Sequence, residues 1–100
     1  MTINVQSVHF DADRKLLDFI NEKVGKLATF YDGIITCEIT LRLDKNSNSE
    51  NKISEIKILG KGHEFFAKKQ CATFEEATDS ACDALKSQLT KHKSKMLEQH

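Results

Sequence analysis

The residues of this chain with the most evident chemical use are cations gathered near one end. The stretch "LKSQLTKHKSK", Leu85 to Lys95, holds four lysines, a histidine and no acid, although the formal net charge of the 100 residues is zero. Ammonium groups repeated along a helix can neutralise phosphates or carboxylates. A helix C-terminus attracts cations through its dipole, but that effect fades within the last turn. Lys86 stands more than two turns before Lys95, so the dipole accounts for only part of the run. Acids concentrate upstream, at Glu75, Glu76, Asp79 and Asp83. Three- and four-residue spacing leaves Asp83 with Lys86 as one usable ion pair. A solvated charged face and a polyanion-binding face are both open here, and the clustering of lysines favours the second.

At about 100° per residue, Lys86 and Lys93 project within about 20° of each other and border the apolar stripe of Leu85 and Leu89. On an earlier helical segment, Lys23 sits beside Leu16 at the edge of an apolar arc, and Lys26 lies next to Phe19 and Phe30. Such stems can lie over a core with their heads in water. The same placement lets two neighbouring helices lend lysines to a shared basic groove that neutralises phosphates. Lys68 and Lys69 are adjacent on a predicted strand and leave opposite faces, so each is at most a member of a patch. Phe30, Tyr31, Phe65 and Phe66 fit an amphipathic core pattern better than a base-stacking platform, and no base readout is assigned to them.

Other chemistries find little support. The chain shows no G-x-S-x-G, H-E-x-x-H or Walker loop, and His9, His63, His92 and His100 lack metal-ligand spacing. Neither an enzyme nor a metal or cofactor site is expected. Cys37, Cys71 and Cys82 are an odd number with no C-x-x-C pair, so they read as reduced thiols, Cys37 and Cys82 facing inward and Cys71 near a strand end. "GKGHE" precedes a strand and not a helix, which makes it a hairpin turn and not a phosphate loop. No apolar run approaches a membrane span and no secretory signal is visible, so the expected compartment is the cytoplasm.

The elements that must position the lysines follow from periodicity. Ile3 and Val5 alternate with polar residues up to a phase change at Ser7. Asp11 or Asp13 can cap a helix reaching about Tyr31, with Leu16, Ile20, Val24, Leu27 and Tyr31 on one arc. From Ile34 to Leu43 the alternation puts Ile35, Cys37, Ile39, Leu41 and Leu43 on one face. After the polar loop "DKNSNSENK", strands at Ile53 to Leu59 and Glu64 to Gln70 complete a meander. Thr73 with Glu76 forms a capping box, and Phe74, Ala77, Ala81, Cys82, Leu85 and Leu89 line a last helix to about Lys95. With no proline and no linker, residues 1–100 read as one domain. The expected fold is a two-layer α+β arrangement of order β-α-β-β-β-α, a four-stranded sheet with both helices packed on one face and the first strand parallel to a neighbour.

The order of elements, the first-helix stretch "EKVGKLATFYDGI" and the final helix "TFEEATDSACDALKSQLTKHKSK" together resemble the ribosome hibernation promoting factor and ribosome-associated inhibitor family, also called the sigma-54 modulation protein family. The most specific piece is "QLTKHKSK", Gln88 to Lys95; "EKVGKL" supplies the matching Lys23 and Lys26. The resemblance implies a stationary-phase or stress factor that binds the small ribosomal subunit in the messenger and transfer RNA channel and represses translation by occupancy. Carried to matching positions, it implies ribosomal RNA contacts from Lys23, Lys26, Lys91, His92, Lys93 and Lys95, with Lys86 a near match. Members often carry basic residues where this chain has Ala84 and Ser87. The length resembles the family's short form, expected to be a monomer when free and to work with a separate ribosome modulation factor. Two other classes remain beside it, a general duplex-RNA-binding module and an interaction domain for acidic proteins.

Overall fold

The structure is a computed structural model that describes residues 1–46 and 49–98; the side chains of 94–98 lie outside that description. Strand β1 (Thr2–Ser7) leads to helix α1 (Arg14–Gly25), strands β2 (Ile34–Leu43), β3 (Lys52–Gly60) and β4 (His63–Cys71), and helix α2 (Phe74–Glu98). The sheet order is β1-β2-β3-β4, with β1 parallel to β2 and the other neighbours antiparallel. This is the expected β-α-β-β-β-α order.

Register explains which residues form the core. Ile3, Cys37, Ile58 and Phe65 align in one row across the sheet, and Val5, Ile39, Ile56 and Ala67 in the next. Because strand side chains alternate, both rows point to the same face. Ile20, Val24 and Leu27 from the α1 segment and Ala81, Leu85 and Leu89 from α2 bury against that face. Burying each large aliphatic side chain contributes roughly 1.5–3 kcal/mol. The opposite rows, such as Asn4, Glu38, Lys57 and Phe66, leave the other face open to water.

The helix ends are set by local chemistry. The Asp13 carboxylate accepts a 2.8 Å hydrogen bond from the Leu16 amide and starts α1. At α2, Thr73 Oγ1 accepts from the Glu76 amide at 3.1 Å. The α1 segment departs from the expected run to Tyr31: the α-helix ends at Gly25, the poorest helix former it contains, and tightens into a 3₁₀ turn, Lys26–Thr29. The Thr29 hydroxyl closes that turn by donating to the Lys26 carbonyl at 2.7 Å.

The inward set on β2 also differs from strict alternation. Ile34 pairs with Gly60 while Thr36 pairs with Leu59, so Ile35 is an extra residue in a bulge. Ile34 is buried and Ile35 is exposed, as is Leu43 at the strand's far end. The bulge lies where Gly33 approaches the β3–β4 turn: the Lys61 amide donates to the Gly33 carbonyl at 3.3 Å. A Cβ on Gly33 would lie 2.7 Å from the Tyr31 ring, so only glycine fits there without displacing that ring. Within the turn, Gly62 adopts φ +78°, a left-handed conformation suited to glycine.

One polar pair is buried in the helix–sheet layer. The Thr78 hydroxyl donates to Ser54 Oγ at 3.1 Å, and both residues are fully buried. Replacing either one alone strands its partner, so Ser54→Ala or Thr78→Val should cost about 1–3 kcal/mol. Replacing both together should cost less than the sum of the two. Urea unfolding of the four proteins measures that coupling; strict additivity would show that the hydroxyls act independently.

Candidate nucleic-acid interface

Helices α1 and α2 both pack on the sheet and contact each other. Their outer margins enclose a groove of about 180 Å³ lined by Lys23, Lys26, Leu27, Phe30, Asp79, Cys82, Asp83 and Lys86. A shallower groove of about 450 Å³ continues along α2 past Asp83, Lys86, Ser87, Thr90 and Lys91. Four of the expected lysines, Lys23, Lys26, Lys86 and Lys91, are therefore brought to one continuous surface. Lys93 is exposed farther along α2. Lys95 is on the helix backbone, but its side chain lies outside the described residues.

The charges of this surface are already partly matched. Lys23 Nζ lies 3.2 Å from Asp79 Oδ1. Its pKa is raised, first by the hydrogen bond to Asp79 and then by that carboxylate's charge. Lys26 lies 3.7 Å from Glu22 on its own helix, with both side chains well exposed. Lys86 does not pair with Asp83; its ammonium sits 4.8 Å from the centre of the Phe30 ring, a cation–π arrangement. Exposed pairs of this kind are weak, so an incoming polyanion can exchange partners with them at little cost.

The structure separates His92 from the lysines. Its ring packs edge-on against Tyr31 at 5.5 Å, Phe65 at 5.4 Å and His63 at 4.2 Å between centroids. Its Nε2 is buried and meets no hydrogen-bond partner among the described residues. The imidazole thus fastens α2 to the β3–β4 hairpin and to the segment after the 3₁₀ turn. Gln88, in the same stretch, donates from Nε2 to the Phe66 carbonyl at 2.9 Å and occupies an acceptor of the edge strand. Sequence spacing marks both residues as part of a basic run, but it gives no sign of these tertiary partners. Asp79, Asp83 and Phe30 are likewise groove residues that only the packing of α1 on α2 discloses.

Among the described residues no group of three or more potential ligands could hold a metal ion. No described helix is long and apolar enough to cross a membrane. Burial is the main cause that pushes the Cys37 thiol up to about 11 and the Cys82 thiol up to about 12, with Asp79 and Asp83 adding to the second. Both thiols stay protonated at neutral pH, which removes the thiolate needed for nucleophilic attack.

These shifts carry a testable consequence. In native protein a thiol reagent at pH 8 should modify Cys71 well before Cys37 and Cys82, and mass spectrometry would locate the adduct. Rapid labelling of Cys82 would contradict the packing around it. The stabilisation from keeping both thiols neutral is complete below the ordinary thiol pKa. It declines as pH rises through that value toward the folded values of about 11 and 12.

Comparison with known proteins places these features in context. The family model described as sigma 54 modulation protein / S30EA ribosomal protein matches residues 3–97. A ribosome hibernation promoting factor of Klebsiella oxytoca is 31% identical over 100 residues, covering the whole of both chains. That of Escherichia coli K12 is 28% identical over 100 residues, again covering both chains in full. Among solved structures, a ribosomal subunit interface protein from Coxiella burnetii superposes with a TM-score of 0.84 at 20% identity, covering 94% of this chain and 99% of its own. The N-terminal domain of Thermus thermophilus Protein Y gives 0.79 at 20% identity, covering 92% and 99%.

Proposed function

The chain belongs to the sigma 54 modulation protein / S30EA ribosomal protein family, and from that premise we propose that it is a ribosome hibernation factor. It places the α1–α2 face against ribosomal RNA of the small subunit, in the channel for messenger and transfer RNA. It represses translation in stationary phase or stress by occupying that channel, without catalysis. The observation that carries this reading is the joining of Lys23, Lys26, Lys86 and Lys91 on one surface formed by two helices. Lys93 and Lys95 extend the same contact along α2, while His92 serves it indirectly by holding the helix in place. Residues 1–100 act as one ribosome-binding domain, a monomer when free, located in the cytoplasm. A separate ribosome modulation factor fits as a partner on the ribosome.

The physical basis is counterion release. Each lysine that neutralises a phosphate liberates a condensed cation, so affinity falls with salt by a log-log slope of roughly 0.7 to 0.9 per contact. Weak pairing at Lys23 and Lys26 keeps these groups oriented but available. Net neutrality of the chain limits indiscriminate coating of polyanions, leaving localised basic patches as the contacts.

Lys91→Gln, Lys93→Gln and Lys95→Gln combined should lower affinity for small ribosomal subunits roughly 100-fold near 0.1 M salt, as loss of about three phosphate contacts requires. Co-sedimentation in sucrose gradients reads this, and an unchanged circular dichroism spectrum verifies the fold. Wild-type binding by the variant would move the interface away from α2.

Asp79→Asn tests the groove from the opposite direction. Removing the acid that occupies Lys23 should raise affinity for the same subunits roughly fivefold and steepen the salt slope. Weakened binding would mean that Asp79 positions Lys23 productively and does not compete with phosphate.

A further inference from the structure

A second basic groove lies at the opposite end of the sheet. It has a volume of about 540 Å³ and is lined by Val8, His9, Arg42, Leu43 and Lys45. Strand β1 ends at Ser7, and the Val8 amide still donates to the Leu41 carbonyl at 3.0 Å. His9 then turns away at φ +65°, the one described non-glycine residue with positive φ. Such a conformation is uncommon for a side-chain-bearing residue. It sets an exposed imidazole beside the end of β2.

The other two cations are positioned by pairing at the base of the β2–β3 loop. The Asp44 amide donates to the Asn51 carbonyl at 2.8 Å. The Asp44 carboxylate accepts from the Asn46 amide and from Gln70 Nε2, both at 2.9 Å, and these bonds depress its pKa. That acid is therefore engaged within the loop, and adjacent Lys45 is exposed with no ion pair among the described residues. Arg42 Nε donates to Glu55 at 2.9 Å while the side chain remains half exposed. A guanidinium offers five N–H donors in a fixed fork, so one bond to Glu55 orients it and leaves others for a second oxyanion.

Topology sets the distance between the two basic surfaces. Because β1 and β2 are parallel, the groove at Ser7 and Leu43 lies at the end where α1 begins, whereas Lys23 and Lys26 lie where α1 ends. The ten residues of β2 separate those ends by roughly 30 Å. A small anion cannot bridge that span. A folded RNA carrying phosphates on two ridges can. The open shape and exposed groups also suit a nucleic-acid backbone better than an enclosed nucleotide.

We propose that the groove of His9, Arg42 and Lys45 is a second phosphate-backbone contact for folded RNA, so that the chain grips its RNA at both ends of the sheet. This rests on the RNA-binding reading of the α1–α2 face and adds a site remote from it. Glu55 holds Arg42 for the contact, Asp44 holds the loop that carries Lys45, and the turned backbone at His9 completes the wall.

The test uses purified bacterial small ribosomal subunits and full-length chain over a range of potassium chloride concentrations. Lys45→Glu, and separately Arg42→Gln with Lys45→Glu, should weaken binding roughly fivefold to tenfold and reduce the salt slope by about one to two contacts. Combined with Lys91→Gln and Lys93→Gln, the losses should multiply, since the sites are far apart. Lys45→Glu alters an exposed loop position, so its thermal unfolding should match that of the wild type even if the double variant is less stable. Wild-type affinity and slope in Lys45→Glu, with binding lost in the helix variant, would overturn the second contact and leave the first reading standing. Failure of the wild-type chain to bind subunits at low salt would overturn both.

Discussion

The molecule depends on one sheet having a single buried face that two helices must cover. Ile39, Ile56 and Ile58 are almost fully inaccessible on that face, and Leu85 and Leu89 close over them from α2. Neither helix is wide enough to cover four strands, because an α-helix with its side chains spans roughly 10–12 Å and strands repeat about every 4.8 Å. Two helices must therefore lie beside each other, and a groove between their solvent margins follows. Side chains at those margins have stems on the core and heads in water. Lysine suits that position, and Lys23 and Lys86 occupy it.

The groove is therefore a product of the core and not an addition to it. Its charge is moderated by Asp79 and Glu22, which hold Lys23 and Lys26 without burying them. Phe30 does the same for Lys86 through its ring face. Beyond the sheet, α2 is anchored by the cluster of Tyr31, His63, Phe65 and His92 and by Gln88 on the β4 edge. That anchoring fixes the direction in which Lys91 and Lys93 are presented.

Much of this was legible from periodicity because the core follows it closely. The stripe from Phe74 to Leu89 is buried as read, and Asp13 and Thr73 cap the helices. The exposed position of Ile35 is not legible in the alternation because a bulge breaks the two-residue period beside Gly33, which meets a turn distant in sequence. The end of α1 at Gly25 was blurred because the apolar arc continues through a 3₁₀ turn that keeps Leu27 buried. The partners of His92 were not legible because they come from two segments distant in sequence, Tyr31 and strand β4. Asp79 read as part of an acidic first half of α2, since nothing local shows that it faces Lys23 across two helices. Local patterns thus located the lysines, while long-range packing decided which of them are paired and which residues stand between them.

The central claim is that the α1–α2 face, and not the middle of the open sheet face, lies against ribosomal RNA. Site-specific photo-crosslinking compares the two directly: a photoreactive residue at Ser87, which lines the helix groove, and another at Glu38, on the exposed sheet face. With both proteins bound to small ribosomal subunits, the account predicts RNA adducts from position 87 and none, or far fewer, from position 38. Adducts formed only from position 38 would contradict it.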